Sequence, residues 1–325
     1  MHRGREQRKL NRIYWRRNQR MDKMIIEAIS VSTDPERIHE IIQQAKKNKE
    51  EIIKNEQVYF DESKNKQTKQ EYYASVDFSD SANSPAIERI IELIQSTHKN
   101  LLRYDPSSYV YPWVDLRPDG KLQSIYSGEI REPEDVIQED YATSQKREQK
   151  IRANKEGGNL LKVMAEAVTT FKYNCEHAVP QSWYDAQEPM RGDLHHLFTC
   201  EPLCNSIRSN FPYYDFHDYP AGQEAGVLRI EDQCGKAEDE LFEPEYAKGT
   251  VARAMLYFLL RYPDGMETNH REKVDVDLML EWHRNEPPEV YELHRNQAIF
   301  ELQGNRNPFI DYPVEMAELF RDKQE

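Results

Sequence analysis

The sequence has no long apolar run. No stretch approaches the roughly 18 consecutive apolar residues that a membrane-spanning helix needs, and the basic start of the chain is not followed by the apolar segment of a secretory signal. We therefore expect no membrane span and, as the sequence is written, a cytoplasmic protein. Met21 and Met24 are alternative start sites, so secretion from another start remains open.

Positive charge is scarce outside the N-terminal arm. The chain carries 44 Lys and Arg against 58 Asp and Glu, and its net charge is −14. Eight of the basic residues and only one acidic residue lie in residues 1–20, which we interpret as a solvated tail. The remainder is strongly acidic, the opposite of what a polyanion-binding protein normally shows. Any nucleic-acid groove must therefore be a local feature.

Cysteine is rare, and its distribution is uneven. The four cysteines are Cys175, Cys200, Cys204 and Cys234, so none lies outside one short part of the chain. Three states are open. Reduced buried thiols suit a cytoplasmic protein, whereas the C-x3-C pair has the spacing of ligands in a structural zinc site with four thiolates. Disulfides rank third because nothing in the sequence predicts export.

Helical periodicity dominates most of the chain. Helices are predicted at 33–57, 84–102, 133–153, 158–172, 251–262, 274–285 and 288–304. The charged stretch 61–71 is predicted to be a mobile linker, and residues 109–128 are predicted to form a β-hairpin around the turn at 117–120. We predict an α+β fold, mostly helical with a small embedded β element, in which an N-terminal helical region of unknown role (1–105) precedes a second domain (106–325).

Residues suited to chemistry concentrate at 173–217, which holds four of the ten histidines and three of the four cysteines. Glu176 and His177 are adjacent on a predicted strand, and at its end both can reach one site. There a carboxylate can hold a cation and an imidazole can move a proton near neutral pH. Alone, this dipeptide is weak evidence.

A second predicted strand and a helix follow this pair. Asp193 and His195 lie on the strand, and Asn205 and Arg208 share one face of the helix because they are three residues apart. A hairpin followed by a helix can bring such groups to one cation and one phosphate.

Three blocks in this order resemble the bacterial endonuclease I family of ββα-metal nucleases. They are NCEHAVPQSW (174–183), DLHHL (193–197) and NSIRSNF (205–211), and the segment 292–311 is similar to the end of that family. The resemblance covers about 109–312. It implies a hairpin–helix (ββα-metal) nuclease core within 106–325 and a metal-dependent endonuclease that hydrolyses phosphodiester bonds. DNA is the expected substrate, with RNA as a second one and with little sequence preference.

The resemblance also implies roles for individual residues. His177 is expected to be the general base, and Glu176 and Asn205 are expected to hold a divalent cation, for which Mg²⁺ suits the oxygen ligands. Arg208, and less strongly Arg191, are candidates for binding phosphate through the planar guanidinium. Further candidates for substrate binding are Asp193, His195, His196 and Asn210, of which His196 stands where the family often has Asn.

The rival interpretation is a zinc-stapled module that binds nucleic acid or protein without cutting it. In that case the structural zinc would be held by Cys175, Cys200, Cys204 and Cys234, and the Glu176–His177 pair would have no chemical role. Metal-dependent cleavage of a plasmid distinguishes the two interpretations. The sequence predicts no oligomeric state.

Overall fold

A computed structural model describes residues 28–78, 85–154, 159–219 and 233–324. The basic arm lies outside these residues. The helices are α1 (Pro35–Lys54), α2 (Glu62–Tyr72), α3 (Pro85–Thr97), α4 (Pro133–Ala153), α5 (Leu160–Thr170), α6 (Pro202–Arg208), α7 (Lys248–Arg261), α8 (Val276–Asn285), α9 (Val290–Gln303) and α10 (Pro313–Gln324). Single helical turns lie at Glu56–Tyr59, Pro106–Tyr109, Thr268–Arg271 and Pro308–Asp311.

The strands form small antiparallel pairs. They are β1 (Leu122–Gln123) with β2 (Ile130–Arg131), β3 (Cys175–His177) with β4 (Leu197–Thr199), and β5 (Gly235–Glu238) with β6 (Leu241–Pro244). The described part of the chain is thus mostly helical with small β elements, which is compatible with the predicted α+β class. In the same part of the chain, no helix has the length and apolar character needed to cross a membrane.

The predicted mobile linker at 61–71 is wrong, because this stretch forms helix α2. The Asp61 side chain caps its start by accepting a hydrogen bond from the backbone N of Lys64 (2.9 Å). In its first turn, the buried Asn65 accepts a hydrogen bond from Nη2 of Arg306 (2.7 Å). The charged composition of this stretch gives no indication of the helix, because polar residues distant in the sequence stabilise it.

The predicted hairpin around 117–120 is also wrong in its position. The turn itself forms, with Gly120 in the left-handed region (φ +73°) donating its N–H to the carbonyl of Arg117 (2.8 Å). The apolar run before it is a π-helical turn, Val110–Val114, rather than a strand, and all of its side chains except that of Trp113 are buried. Pro112 has no N–H to donate to a ladder, and the strands that pair are β1 and β2, which lie after the turn.

The N-terminal helices share their core with the rest of the chain. Ile38 and Ile41 of α1 belong to the apolar cluster that contains Val110 and Leu197. Helix α3 packs similarly, since Ile90 joins the cluster built around α7. The domain boundary between 105 and 106 stays a prediction, but residues on its two sides pack together.

A buried ion pair braces the hairpin formed by β3 and β4. Arg295 of α9 pairs with Asp115 and donates from Nη2 to the carbonyls of Leu194 (2.9 Å) and Leu197 (2.8 Å). Asp115 in turn accepts the backbone N–H of Thr199 (2.6 Å). The loop before β4 and β4 itself are therefore fixed by charged groups that are themselves paired.

Candidate active site

The hairpin and the helix after it bring Glu176 and Asn205 together. Strand β3 pairs with β4 so that Glu176 lies opposite Phe198. Helix α6 begins at Pro202, shortly after β4 ends at Thr199. The Asn205 side chain donates from Nδ2 to the carbonyl of Cys175 (2.9 Å), the residue before Glu176. The elements follow the predicted order of strand, strand and helix, but the placement of Asp193 and His195 on the second strand is wrong, because residues 194–196 form a 3₁₀ turn and β4 begins at Leu197.

Glu176 is a buried carboxyl with protein partners on one oxygen. Its Oε1 accepts a hydrogen bond from the Tyr126 hydroxyl (2.9 Å) and lies 3.0 Å from Nε of Arg208. Burial raises the pKa of Glu176 to about 7, and the opposing effects of Arg208 and the Tyr126 hydroxyl are smaller. A bound cation would favour the charged form of this carboxyl.

The residues present suit a hard divalent cation. Asn205 uses its amide nitrogen on the Cys175 carbonyl, so Oδ1 is the atom left for a metal. One carboxylate and one amide oxygen match the ligands of Mg²⁺, which keeps several waters of its own. Among the described residues no group of three His, Cys, Asp or Glu side chains is arranged to hold a metal.

His177 is held as a neutral imidazole. Its Nε2 lies 2.9 Å from the carbonyl of Arg191, and because a carbonyl only accepts, Nε2 carries the proton. Its Nδ1 lies 3.2 Å from the amide nitrogen of Gln181, which donates to it. Burial lowers the pKa of His177 well below 6.5, and the nearby His196 lowers it further. At neutral pH the ring can therefore accept a proton at Nδ1.

Arg208 does not lie where phosphate can reach it. The side chain is fully buried, and besides its ion pair with Glu176 it donates from Nη2 to the carbonyl of Ala178 (2.9 Å) and from Nη1 to that of Ser209 (3.3 Å). This geometry gives the predicted phosphate contact no support, because the guanidinium points inward from α6 and contacts Glu176 and the carbonyl of Ala178.

Arg191 is half-buried and also turns towards protein groups. It donates from Nε to Oε1 of Gln181 (3.0 Å) and from Nη2 to the Ser30 hydroxyl (2.9 Å). The Arg191 side chain thus contacts the residue that binds His177, and this geometry provides no support for phosphate binding.

Three of the predicted substrate-binding residues are buried in the protein. Asp193 accepts hydrogen bonds from the hydroxyls of Tyr257 (2.8 Å) and Tyr262 (2.9 Å). His195 lies with Nε2 3.4 Å from the carbonyl of Asn305. Tyr257 lies on α7, Tyr262 directly follows it and Asn305 follows α9. Asp193 and His195 therefore fix the loop before β4, and their burial gives the predicted substrate contact no support.

His196 and Asn210 complete this set. His196 is fully buried, and its Nε2 donates to the carbonyl of Met190 (2.6 Å), so the histidine bonds to the loop before β4. Asn210 is exposed at the end of the segment that follows α6, with Nδ2 3.5 Å from the Ser182 hydroxyl. It is the member of the predicted substrate-binding set that solvent reaches.

The cysteines depart from the predicted zinc site. Cys204 and Cys234 form a disulfide that joins α6 to the start of β5, whereas Cys175 and Cys200 are free and buried. Sulfur atoms bonded to each other are not thiolate ligands, so the four cysteines cannot hold zinc together in this form. The disulfide, ranked last from the sequence, is present for two of them.

Sequence reasoning did not single out Lys172, Gln181 or Tyr126. Lys172 is half-buried and forms no ion pair within the described ranges. Burial lowers its pKa, and the charge of Glu176 opposes that effect. No reliable sequence signal pointed to Lys172, because β3 begins only at Cys175 and strand alternation does not extend to residue 172. Gln181 and Tyr126 gave no signal either, since their contacts depend on the fold.

Comparison with known proteins supports the resemblance. A model of the family described as Endonuclease I matches residues 43–314. An extracellular deoxyribonuclease of Aeromonas hydrophila is 30% identical over 128 residues, which are 39% of this chain and 52% of that protein. An extracellular ribonuclease of Bacillus amyloliquefaciens is 30% identical over 135 residues, 37% of this chain and 44% of that protein.

A third relative carries the family's name. Endonuclease-1 of Buchnera aphidicola from Acyrthosiphon pisum is 26% identical over 121 residues, covering 37% of this chain and 45% of that protein. The chain spans about half the length of these curated relatives. The family model, in contrast, covers most of the chain, including the hairpin, α6 and the helices around them. The protein belongs to the endonuclease I family.

Proposed function

We propose that this protein is a metal-dependent endonuclease that hydrolyses phosphodiester bonds in DNA with little sequence preference. The observation that carries the proposal is that His177, held by the Arg191 carbonyl, directly follows buried Glu176 in β3, with Asn205 bonded to the same strand. In a member of the endonuclease I family, this arrangement supports a ββα-metal core made of β3, β4 and α6.

His177 is the general base in this proposal. Its Nδ1 takes a proton from the water that attacks the scissile phosphorus, while the bond from phosphorus to the leaving sugar oxygen breaks and that oxygen takes a proton from a solvent water. The ring then becomes positively charged, and the carbonyl of Arg191, which already accepts the Nε2 proton, stabilises that charge. The low pKa of the buried ring keeps it unprotonated and ready before the reaction.

Glu176 and Asn205 would hold the Mg²⁺. When bound, this ion supplies electrostatic stabilisation of the charge that develops on the phosphate. Tyr126 and Arg208 contact Glu176 Oε1 and so orient the carboxyl and leave Oε2 for the cation. We include Lys172 as a cation that contacts the substrate phosphate, because it is half-buried near Glu176 and has no ion-pair partner in the described part of the chain.

The disulfide between Cys204 and Cys234 is the basis for proposing where the protein resides. A bond such as Cys204–Cys234 forms and persists in oxidising surroundings. This favours export, the alternative left open by the start sites, over the cytoplasmic expectation. Thiol labelling of the protein, isolated and unfolded without reductant, should modify Cys175 and Cys200 but neither Cys204 nor Cys234.

Plasmid cleavage tests the proposed function. With Mg²⁺, the protein should convert supercoiled plasmid into nicked circles and then into fragments, and EDTA should abolish this. Nicked circles identify an endonuclease, since an exonuclease needs a free end. The names of the relatives include both deoxyribonuclease and ribonuclease, so a labelled RNA belongs in the same assay. Binding of DNA without cleavage under any divalent ion would overturn the proposal.

A further inference from the structure

Gln181 connects His177 to Arg191 in a closed ring of three hydrogen bonds. Arg191 donates from Nε to Oε1 of Gln181 (3.0 Å). The amide nitrogen of Gln181 lies 3.2 Å from Nδ1 of His177. Nε2 of His177 lies 2.9 Å from the backbone carbonyl of Arg191. The ring thus begins at the guanidinium of Arg191 and ends at the carbonyl of the same residue.

The direction of every bond in this ring follows from the first one. An arginine Nε only donates, and it keeps its proton in proteins. Gln181 must therefore present its oxygen to Arg191 and its NH₂ group to His177. Nδ1 of His177 then accepts, and the single ring proton of a neutral imidazole lies on Nε2, where the carbonyl accepts it.

We propose that Arg191 and Gln181 are positioning residues that fix the tautomer of His177. This rests on the proposed function, since it assumes that Nδ1 is the atom that takes the proton. Gln181 donates along the direction in which the O–H of an attacking water would donate. Its bond to Nδ1 is the longest of the three, and the attacking water must replace Gln181 as the donor to that lone pair.

The ring is anchored by a segment outside the region that matches the family model. Nη2 of Arg191 donates to the hydroxyl of Ser30 (2.9 Å), whereas the match begins at residue 43. This segment is itself fixed, because Arg147 donates to the carbonyl of Ala28 (3.0 Å) and the Val31 N–H donates to the Tyr173 hydroxyl (3.4 Å). The N-terminal part of the chain therefore helps to position the base.

Two substitutions at Gln181 separate this role from a packing role. In Gln181→Glu both oxygens accept, so the bond with Arg191 can persist, but His177 must then donate from Nδ1 as well as from Nε2 and carry a positive charge. In Gln181→Met the side chain has similar size and neither bond, while the Arg191 carbonyl still favours a proton on Nε2. We expect kcat to fall about 100-fold in Gln181→Glu and about tenfold in Gln181→Met, with KM nearly unchanged.

A packing role predicts the opposite order, because Glu retains more of the contacts than Met does. Gln187→Glu is the matched control: it makes the same change six positions away on an exposed side chain and should keep the wild-type rate. Ser30→Ala should lower kcat about three- to tenfold. In the double variant with Gln181→Met, kcat should be little lower than in Gln181→Met alone, because the two substitutions disrupt the same ring of hydrogen bonds.

¹⁵N NMR of the histidine rings in the metal-free protein reads the tautomer without any cleavage. His177→Ala identifies the signal by its loss. Nδ1 should carry no proton in the wild type and in Gln187→Glu, and should carry one in Gln181→Glu. A protonated Nδ1 in the wild type, or a milder loss of kcat in Gln181→Glu than in Gln181→Met, would overturn the proposal. Absence of cleavage by the wild type would instead overturn the proposed function, and the NMR result would still decide the tautomer.

Discussion

Burial decides what each charged side chain around the hairpin can do. Arg208 was the natural candidate for phosphate from its position in the NSIRSNF block, but it is fully buried against Glu176. The guanidinium of Arg191 donates hydrogen bonds to Gln181 and Ser30. A sequence pattern shows that a cation is near the site, but not whether its charge faces solvent, because that depends on residues far away in the chain.

Lys172→Met should weaken DNA binding in a salt-dependent way. If Lys172 contacts one phosphate, its loss should lower the affinity roughly tenfold near 0.1 M salt and reduce the slope of log affinity against log salt by about 1. Binding is measured in a His177→Ala background to prevent cleavage. Lys46→Met, the same charge change on an exposed position of α1, should leave the slope unchanged. Equal slopes in both variants would contradict the phosphate contact.

A second buried carboxyl, Asp140, holds the chain that enters β3. Its Oδ1 accepts from the backbone N (2.8 Å) and Nδ2 (2.9 Å) of Asn174, and its Oδ2 accepts from the Tyr111 hydroxyl (2.7 Å). Burial raises the pKa of Asp140 from 3.8 to about 7. The folded state therefore binds a proton that the unfolded state releases, and this group lowers stability as the pH rises through that window.

Asp140→Asn should remove this pH dependence. The free energy of unfolding of the variant, minus that of the wild type, should increase between about pH 4 and about pH 7 and stay constant above pH 7. The total increase should not exceed about 4 kcal/mol, which corresponds to a pKa shift of about three units. Urea unfolding of both proteins at a series of pH values measures it. A difference that does not change with pH would show that Asp140 titrates normally in the folded protein.

At the scale of elements, β3 and α6 could be predicted, whereas the start of β4 could not. The alternation in Asp193–Leu197 indicated a strand, but residues 194–196 form a 3₁₀ turn capped by the Asp193 side chain, and the strand begins at Leu197. Asp193 also accepts hydrogen bonds from two tyrosines of the distant α7 region. Hydrogen bonds to residues so distant in the sequence produce no local periodicity from which the 3₁₀ turn could be predicted.

Helix α6 is short, and its anchors hold it against the hairpin. Besides the side chains of Asn205 and Arg208, the Cys204–Cys234 disulfide ties it to β5 across 30 residues. Replacing both cysteines with serine should lower the free energy of unfolding by about 3 to 4 kcal/mol, the entropy of closing such a loop, and should lower kcat because Asn205 loses its support.

Urea unfolding measures that loss of stability, and dithiothreitol provides the control for the disulfide. The reductant should destabilise the wild type to the level of the Cys204→Ser, Cys234→Ser variant and should have no further effect on the variant. A wild type whose stability is unchanged after full reduction would contradict the structural role assigned to the bond.

At the scale of the whole molecule, the N-terminal helices belong to the folded unit that carries the site. Apolar residues of α1 and α3 lie in the same clusters as residues of the second half, and Ser30 reaches Arg191. The boundary at 105/106 was predicted because the recognisable blocks begin after it. Amphipathic helices alone do not indicate which partner covers their apolar faces.

The full chain should therefore unfold in one cooperative step. Fluorescence and circular dichroism should give coincident urea transitions. A fragment of residues 106–325 should show no cooperative transition, because it loses the apolar side chains that cover Val110, Leu197 and α7. A fragment that unfolds cooperatively and keeps the near-ultraviolet spectrum of the parent would instead support two separate domains.

The central claim is that the neutral imidazole of His177 is the base that activates water. The most direct measurement is Mg²⁺-dependent plasmid nicking by His177→Ala beside His39→Ala, which removes an exposed histidine of α1. His39→Ala should nick at the wild-type rate. The nicking rate of His177→Ala should be lower than that of the wild type by at least about 100-fold, although its circular dichroism spectrum should be unchanged. Added imidazole should restore part of the nicking activity. Wild-type nicking by His177→Ala would contradict the account.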